Sequence, residues 1–253
     1  MLSENNSSHR SDEELQKLTL GKLKPHNSYI TLVEYDPNWP KLFEQEADRI
    51  RSILGNKTLQ IEHVGSTSVP GLCAKPIIDM LLVVEDYADE PSYVPVLESA
   101  GYTLRIREPQ WFEHRMFKGP DTDINLHVFS SGTPEIDRML RFRDWLRSNE
   151  SDREKYAQVK RSLAKNKWRH VQHYADAKTS IVQEIMERAN ANIYYQNITI
   201  IRNNMSLLNY AQIIGWKNES FDNIDGERRL CLSRSVKIHN KRKRKNHRGN
   251  ISH

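Results

Sequence analysis

Apolar positions recur along the chain with two periods. From Lys41 to Leu54 the apolar residues Leu42, Phe43, Ala47, Ile50, Ile53 and Leu54 fall at helical spacing, after the turn Asp36-Pro37-Asn38-Trp39-Pro40 and before Gly55-Asn56. Two dense runs follow, Leu59 to Val64 and Ile77 to Val84, rich in the β-branched residues that suit a buried sheet. A helix is predicted from about Tyr93 to Ala100, closed by Gly101, and a strand from Tyr102 to Ile106 with Arg105 and Arg107 on a face away from Ile106. Arg115 to Lys118 and Asp123 to Phe129 alternate on either side of Gly119-Pro120-Asp121, which reads as a hairpin. In the second of these, Ile124, Leu126 and Val128 take one face and Asp123, Asn125 and His127 the other. Beyond Ser130 the period is helical: Thr133-Pro134-Glu135 opens a helix to about Ser148, Ser151-Asp152 caps another to about Trp168, and a third spans Ala175 to Ala189.

That order predicts an α/β (α+β) fold, a mixed sheet flanked by helices with a C-terminal helical lobe. Residues 1–27 lack periodic apolar positions and read as mostly disordered, with a candidate short helix at Asp12 to Leu18. Tyr29 to Glu34 reads as a short strand or an extended lead-in to a domain over 28–189. The segment 190–253 is an extension without assigned role, in which Ile198 to Ile201 and Leu207 to Ile214 are candidate elements.

Composition narrows the partners. Hydrophobic content of 37% and charge of 28% describe an ordinary globular chain. No apolar run approaches a membrane span and the N-terminus lacks a signal-peptide apolar region, so no membrane partner is expected. Cys73 and Cys231 are too widely separated to suggest a disulfide framework or a zinc site, which favours a reducing, cytoplasmic home. The net charge of +5 comes from the tail: from Lys237 onward there are seven Lys or Arg and no acid, and the rest has 31 basic against 33 acidic residues. Nucleic acid is therefore not an expected partner of the folded part. The run Lys241 to Lys245 reads as a solvated terminus or a nuclear-import segment.

Candidate chemistry concentrates between the two apolar runs. Gly65-Ser66 follows a strand, glycine lets the backbone approach a ligand, Ser66, Thr67 and Ser68 add donors, and Lys75 adds a cation. Donors, flexibility and a cation are what a phosphate-binding turn needs. Asp79 lies inside the second apolar run, where a carboxylate must meet a metal ion or a basic group. A plain cap and a plain aspartate–lysine pair explain the same residues one by one.

The stretch H-V-G-S-T-S-V-P-G-L-C-A-K-P-I-I-D, His63 to Asp79, resembles the signature of the GrpB family, placed in the nucleotidyltransferase superfamily. The resemblance continues through Asn125-Leu126-His127-Val128, Phe142 to Arg147, Tyr156 with Lys160 and Tyr174 with Lys178, and covers about residues 30–189. It implies a nucleotidyltransferase-like sheet whose site combines a G-S turn for nucleotide phosphates with two strand carboxylates at alternate positions and a third from a neighbouring strand, holding Mg²⁺. Here Gly65, Ser66 and Asp79 match, but the second carboxylate position is Leu81. Asp79 and His127 become the expected metal and catalytic pair, with Glu62 or a phosphate needed to complete the shell.

Basic groups expected at phosphates are Lys75, Arg115, Arg143, Lys160 and Lys178, beside Gly65, Ser66 and Thr67. Arg143–Arg147, Tyr156–Lys160 and Tyr174–Lys178 are i, i+4 pairs suited to a phosphate-bearing ligand, and equally to ion pairing and core packing. Two functions follow. One is a nucleotidyltransferase-like enzyme taking a nucleoside triphosphate and Mg²⁺ and passing a nucleotidyl group to a small molecule. The other, favoured by Leu81, is a catalytically degenerate module binding a nucleotide or another phosphorylated metabolite. GrpB-like domains also occur fused to dephospho-CoA kinases, but this sequence has no G-x-x-x-x-G-K-[ST] loop to hold ATP.

Overall fold

The computed structural model describes residues 10–204, 217–224 and 227–233. Two units divide the chain, Met1–Ala191 and Asn192–His253.

In the first unit the elements run α1 (Asp12–Leu18), β1 (Ser28–Tyr29), α2 (Trp39–Leu54), β2 (Gln60–Val64), β3 (Ile78–Val84), α3 (Glu90–Ser99), β4 (Thr103–Glu108), β5 (His114–Lys118), β6 (Ile124–Ser130), α4 (Pro134–Ser148), α5 (Glu150–Ala164), β7 (Lys167–Trp168), α6 (Val171–Asp176) and the start of α7 (Thr179–Asn204). Strands β2-β3-β6-β5-β4 form one five-stranded sheet, with β3 and β6 parallel and the other neighbours antiparallel. The expected mixed α/β sheet with flanking helices is therefore the observed architecture, and the hairpin at Gly119-Pro120-Asp121 joins β5 to β6 as the alternation predicts. The third C-terminal helix differs. The predicted single helix from Ala175 is two, α6 and α7, broken around Ala177-Lys178.

Alternation divides the strand side chains between two faces. Ile78, Met80, Leu82, Ile124, Leu126, Val128 and Phe117 join α2 and α3 in the main core. On the other face Leu81, Val83 and Phe129 pack beneath Ile136, Met139 and Leu140 of α4. Val69, Leu72, Cys73, Leu146, Tyr156, Ile181 and Ile185 form a third cluster, which ties the loop after β2 to α4, α5 and α7.

Residues 10–27, read from composition as mostly disordered, carry ordered structure. Helix α1 has a capping box in which the Ser11 hydroxyl accepts from the Glu14 amide at 3.2 Å and the Glu14 carboxylate accepts from the Ser11 amide at 2.7 Å. Tertiary contacts supply the rest: Leu15 is buried, Thr19 bridges to Ile106, and Arg10 meets Glu108 at 2.8 Å.

In the second unit, β8 (Lys217–Ile224) and β9 (Glu227–Ser233) pair as an antiparallel hairpin. Ile198 to Ile201 belong to α7, whereas Leu207 to Ile214 and Lys241 to Lys245 lie outside the described residues. Among the described residues no helix is long and apolar enough to cross a membrane.

Candidate functional site

A cavity of about 670 Å³ opens on the sheet face that α4 partly covers, with Glu135, Arg138 and Met139 of α4 in its wall. Its polar wall includes Gly65, Ser66, Thr67, Lys75, Asp79, Asn125, His127, Lys160 and Lys178, which gathers eight of the ten residues expected at the site.

Gly65 and Asp79 converge because β2 and β3 pair with Val64 opposite Asp79. Gly65 sits at φ +67°, ψ −169°, a region reserved for glycine. A Cβ there would lie 2.9 Å from the Asp79 Cβ and overlap its carboxylate. The turn that follows, Ser66 to Ser68, is held by the Ser68 hydroxyl donating to the Gly65 carbonyl at 2.6 Å. Thr67 is fully buried; its hydroxyl donates to the Ile77 carbonyl at 3.2 Å and lies 3.0 Å from His63 Nε2, so it braces the turn.

Asp79 accepts from the Asn125 amide at 2.7 Å, and His127 Nε2 stands 3.8 Å from the same oxygen. Burial alone would raise this carboxyl's pKa, but His127 in its protonated form, the Asn125 amide and Lys75 outweigh it and hold the group below its ordinary range. From His127 a chain of hydrogen bonds runs through further residues of the cavity wall. His127 Nδ1 lies 2.9 Å from His114 Nε2, His114 Nδ1 lies 2.8 Å from Glu108, and Glu108 meets Arg10 on the α1 side.

The cations are arranged differently. Lys75, Lys160 and Lys178 influence one another and Asp79 electrostatically, and none has a carboxylate ion-pair partner among the described residues. Lys160 donates to the Cys73 carbonyl and lies over the Tyr156 ring; Lys178 lies 4.6 Å over the Tyr174 ring. Burial pushes the Lys160 ammonium down to about 7 and Lys178 to about 8, and Lys75 also below its usual value. Tyr174, another lining residue, has a buried hydroxyl without a hydrogen-bond partner among the described residues.

Two expected phosphate ligands are elsewhere. Arg115 alternates away from His114 and Met116, is buried on the α3 side of the sheet, and donates to Glu90 at 2.6 Å. Arg143 donates to Glu62 at 2.7 Å, to the His63 carbonyl and to Asp144. Both guanidiniums are committed to carboxylates outside the cavity lining.

The donor set does not fit a resident Mg²⁺. Leu81, at the position of the second carboxylate, is fully buried in the α4 cluster, and Glu62 is taken by Arg143. Among the described residues no group of three His, Cys, Asp or Glu is placed to hold a metal, and one Asp79 oxygen already accepts from the Asn125 amide.

Sequence reasoning missed Glu108 and His114. A bulge between Leu104 and Ile106 re-aims β4, so that Leu104 stays in the core while Ile106 and Glu108 line the cavity. His114 lies one residue before the predicted start of its strand and opens the observed one.

The family model described as GrpB protein matches residues 29–188. A UPF0157 protein of Halalkalibacterium halodurans is 76% identical over 191 residues, covering 76% of this chain and 98% of that protein. The crystal structure of the conserved protein GrpB from Enterococcus faecalis superposes with a TM-score of 0.55 at 32% identity, covering 65% of this chain and 99% of that one. A dephospho-CoA kinase of Mycolicibacterium paratuberculosis is 27% identical over 186 residues, and this chain spans 46% of its length. The chain belongs to the GrpB family.

Proposed function

We propose that the cavity binds the phosphate groups of a nucleotide or another phosphorylated small molecule, with Lys75, Lys160 and Lys178 as countercharge and the Gly65-Ser66 turn as backbone contact. The observation that carries this reading is the convergence of lysines lacking carboxylate partners on a cavity large enough for a small molecule. Holding buried ammonium groups without counter-ions costs stability, and a dianionic ligand offsets that cost when it enters. Tyr174 adds an unused hydroxyl to the same wall. The donor set supplies no seat for Mg²⁺ alone, so the lysines take over the neutralising role that the family pattern gives to metal. The ligand is a small molecule rather than nucleic acid, and the buried free thiol of Cys73 is compatible with a reducing, cytoplasmic compartment.

A second reading, transfer of a nucleotidyl group to a small-molecule acceptor, is favoured by one arrangement: His127 next to Asp79 at the cavity wall, a pair able to accept a proton from an incoming hydroxyl.

Thermal shift with nucleoside mono-, di- and triphosphates, with and without Mg²⁺, tests both on wild type and Asp79→Asn. At about 100 times Kd a ligand adds about 2.7 kcal/mol of stability, a shift of several degrees. The binding reading expects stabilisation that is independent of Mg²⁺ and survives Asp79→Asn. Stabilisation that requires Mg²⁺ and is lost in Asp79→Asn replaces it with the metal-dependent enzyme. No shift with any phosphorylated compound removes both.

A further inference from the structure

We propose that Glu108 and His114 are positioning residues that fix the tautomer of His127, leaving its Nε2 as an unprotonated acceptor facing the cavity beside Asp79. This rests on the transfer reading above and adds the class of acceptor it implies, a hydroxyl-bearing small molecule whose proton His127 takes.

The argument follows hydrogen-bond direction along the chain of contacts. Arg10 donates to one Glu108 oxygen at 2.8 Å while His114 Nδ1 lies 2.8 Å from the other. Burial would raise the Glu108 carboxyl, but His114 and Arg10 keep it ionised. An ionised carboxylate only accepts. His114 must therefore carry its proton on Nδ1. Its ring is buried, stacked 5.0 Å from Phe129 and 5.0 Å from His127, and burial drives it neutral, with a pKa pushed down to about 4. A neutral ring with Nδ1–H has a lone pair on Nε2, so the 2.9 Å contact to His127 is made by the Nδ1–H of His127 donating to it. With Nδ1–H committed to His114, Nε2 is the nitrogen of His127 left to take up or release a proton.

That nitrogen lies on the cavity side, 3.8 Å from Asp79, with His127 and Asp79 both lining the cavity. Asp79, itself bonded by the Asn125 amide and acted on by Lys75, stands on one side of the ring and His114 on the other. As the oxygen of a ligand hydroxyl placed there bonds to the α-phosphorus of the nucleoside triphosphate, its proton passes to Nε2 and pyrophosphate leaves with the electron pair of the broken P–O bond. The resulting imidazolium has N–H groups aimed at Asp79 and at His114. The negative charge of Asp79 stabilises that cation, while Glu108 holds the second ring in the accepting tautomer, much as a carboxylate behind a histidine orients a general base.

The test is a long-range ¹H–¹⁵N correlation spectrum of the full chain at pH 8, with histidines assigned by single substitutions. Wild type is expected to show His127 with Nδ1 protonated and Nε2 bare. Glu108→Gln offers an amide donor to His114 Nδ1, so the relay reverses: His114 donates from Nε2, and His127 moves to the Nε2–H tautomer. His114→Phe keeps the ring stack but removes the acceptor, and the His127 pattern is expected to become a mixture of tautomers. A wild-type His127 with Nε2 protonated, as tautomer or as imidazolium, overturns the proposal. So does a His127 pattern unchanged in both folded variants. Because the spectrum needs no nucleotide, failure of the relay is distinguishable from failure of ligand binding, which thermal shift reads separately.

Discussion

The two faces of the central sheet are built from the same strands and have opposite chemistry. On one, Met80, Leu82, Leu126, Val128 and Phe117 are wholly buried under α2 and α3. On the other, the alternate residues Asp79, Asn125 and His127 line a cavity, and only farther along do Leu81, Val83 and Phe129 find hydrocarbon cover from α4. Period-two alternation makes both at once, so the strands that supply the core also aim the polar groups of the cavity. The difference is one of what each face gives up. The α2–α3 face maximises burial, whereas the cavity face keeps ammonium groups and a carboxylate out of bulk water without full pairing. Stability and binding should therefore respond to mutation in opposite senses on the two sides.

The largest effect is expected from Leu82→Ala. Truncating a fully buried side chain under α2 and α3 costs about 2–5 kcal/mol, read as a lower urea midpoint. Ligand affinity of the remaining folded protein should be unchanged; a parallel loss of affinity would mean the two faces are not separable. Next comes Gly65→Ala. Its backbone strain costs about 1–3 kcal/mol, and the new Cβ must displace Asp79. Here stability and binding should fall together, because the turn is both a fold element and a cavity wall. Retained affinity at wild-type strength would show that the Gly65–Asp79 contact is not part of the site.

Lys160→Met reverses the sign. Replacing a buried ammonium that lacks a counter-ion should raise stability by on the order of 1 kcal/mol at pH 7 and lower affinity for phosphate compounds at least tenfold. A destabilised variant would mean that the bond from Lys160 to the Cys73 carbonyl outweighs desolvation. The same lysines set the pH dependence. In the folded state Lys160 and Lys178 lose protons near 7 and 8, whereas their ordinary value is 10.5. Between these limits the unfolded chain binds more protons, so stability of the ligand-free protein should rise with pH, by at most about 1.4 kcal/mol per pH unit per group. Phosphate binding needs the charged form and should weaken across the same window. Melting curves from pH 7 to 9, with and without inorganic phosphate, would show the two trends converge; parallel curves would remove the lysines from the site.

How much of this was legible follows from the same geometry. The turn and Asp79 could be read from the chain because a local run of polar residues between two apolar strands needs no tertiary knowledge. His127 followed from alternation along β6. Lys160 and Lys178 came from resemblance alone; as i, i+4 partners of tyrosines they fit core packing equally well, and each does lie over its tyrosine ring. Arg115 was misplaced although alternation could have placed it, since it shares parity with Phe117 and therefore faces the core side. Glu108 was not readable, because the β4 bulge that turns it inward leaves no mark in composition. The ordering of residues 10–27 was half visible: Ser11 and Glu14 are a capping box in sequence, but Arg10 with Glu108 and Thr19 with Ile106 are contacts no local pattern reveals.

The smallest expected effect sharpens the comparison most, because it concerns a residue on the boundary between the two roles. Thr67 lines the cavity by position and was expected to bind phosphate, yet its hydroxyl is spent on the Ile77 carbonyl and His63, whose ring stacks 4.9 Å from Phe43 on the core side. Thr67→Val keeps the shape and removes the donor. It leaves the Ile77 carbonyl and the His63 nitrogen short of a partner, a loss of about 1 kcal/mol. Affinity for a phosphorylated ligand should stay within about twofold, since a change of 1.4 kcal/mol would be tenfold and no ligand contact is removed. A tenfold loss of affinity at unchanged stability would instead return the Thr67 hydroxyl to the ligand, and the line between core and site would have to be drawn one residue deeper.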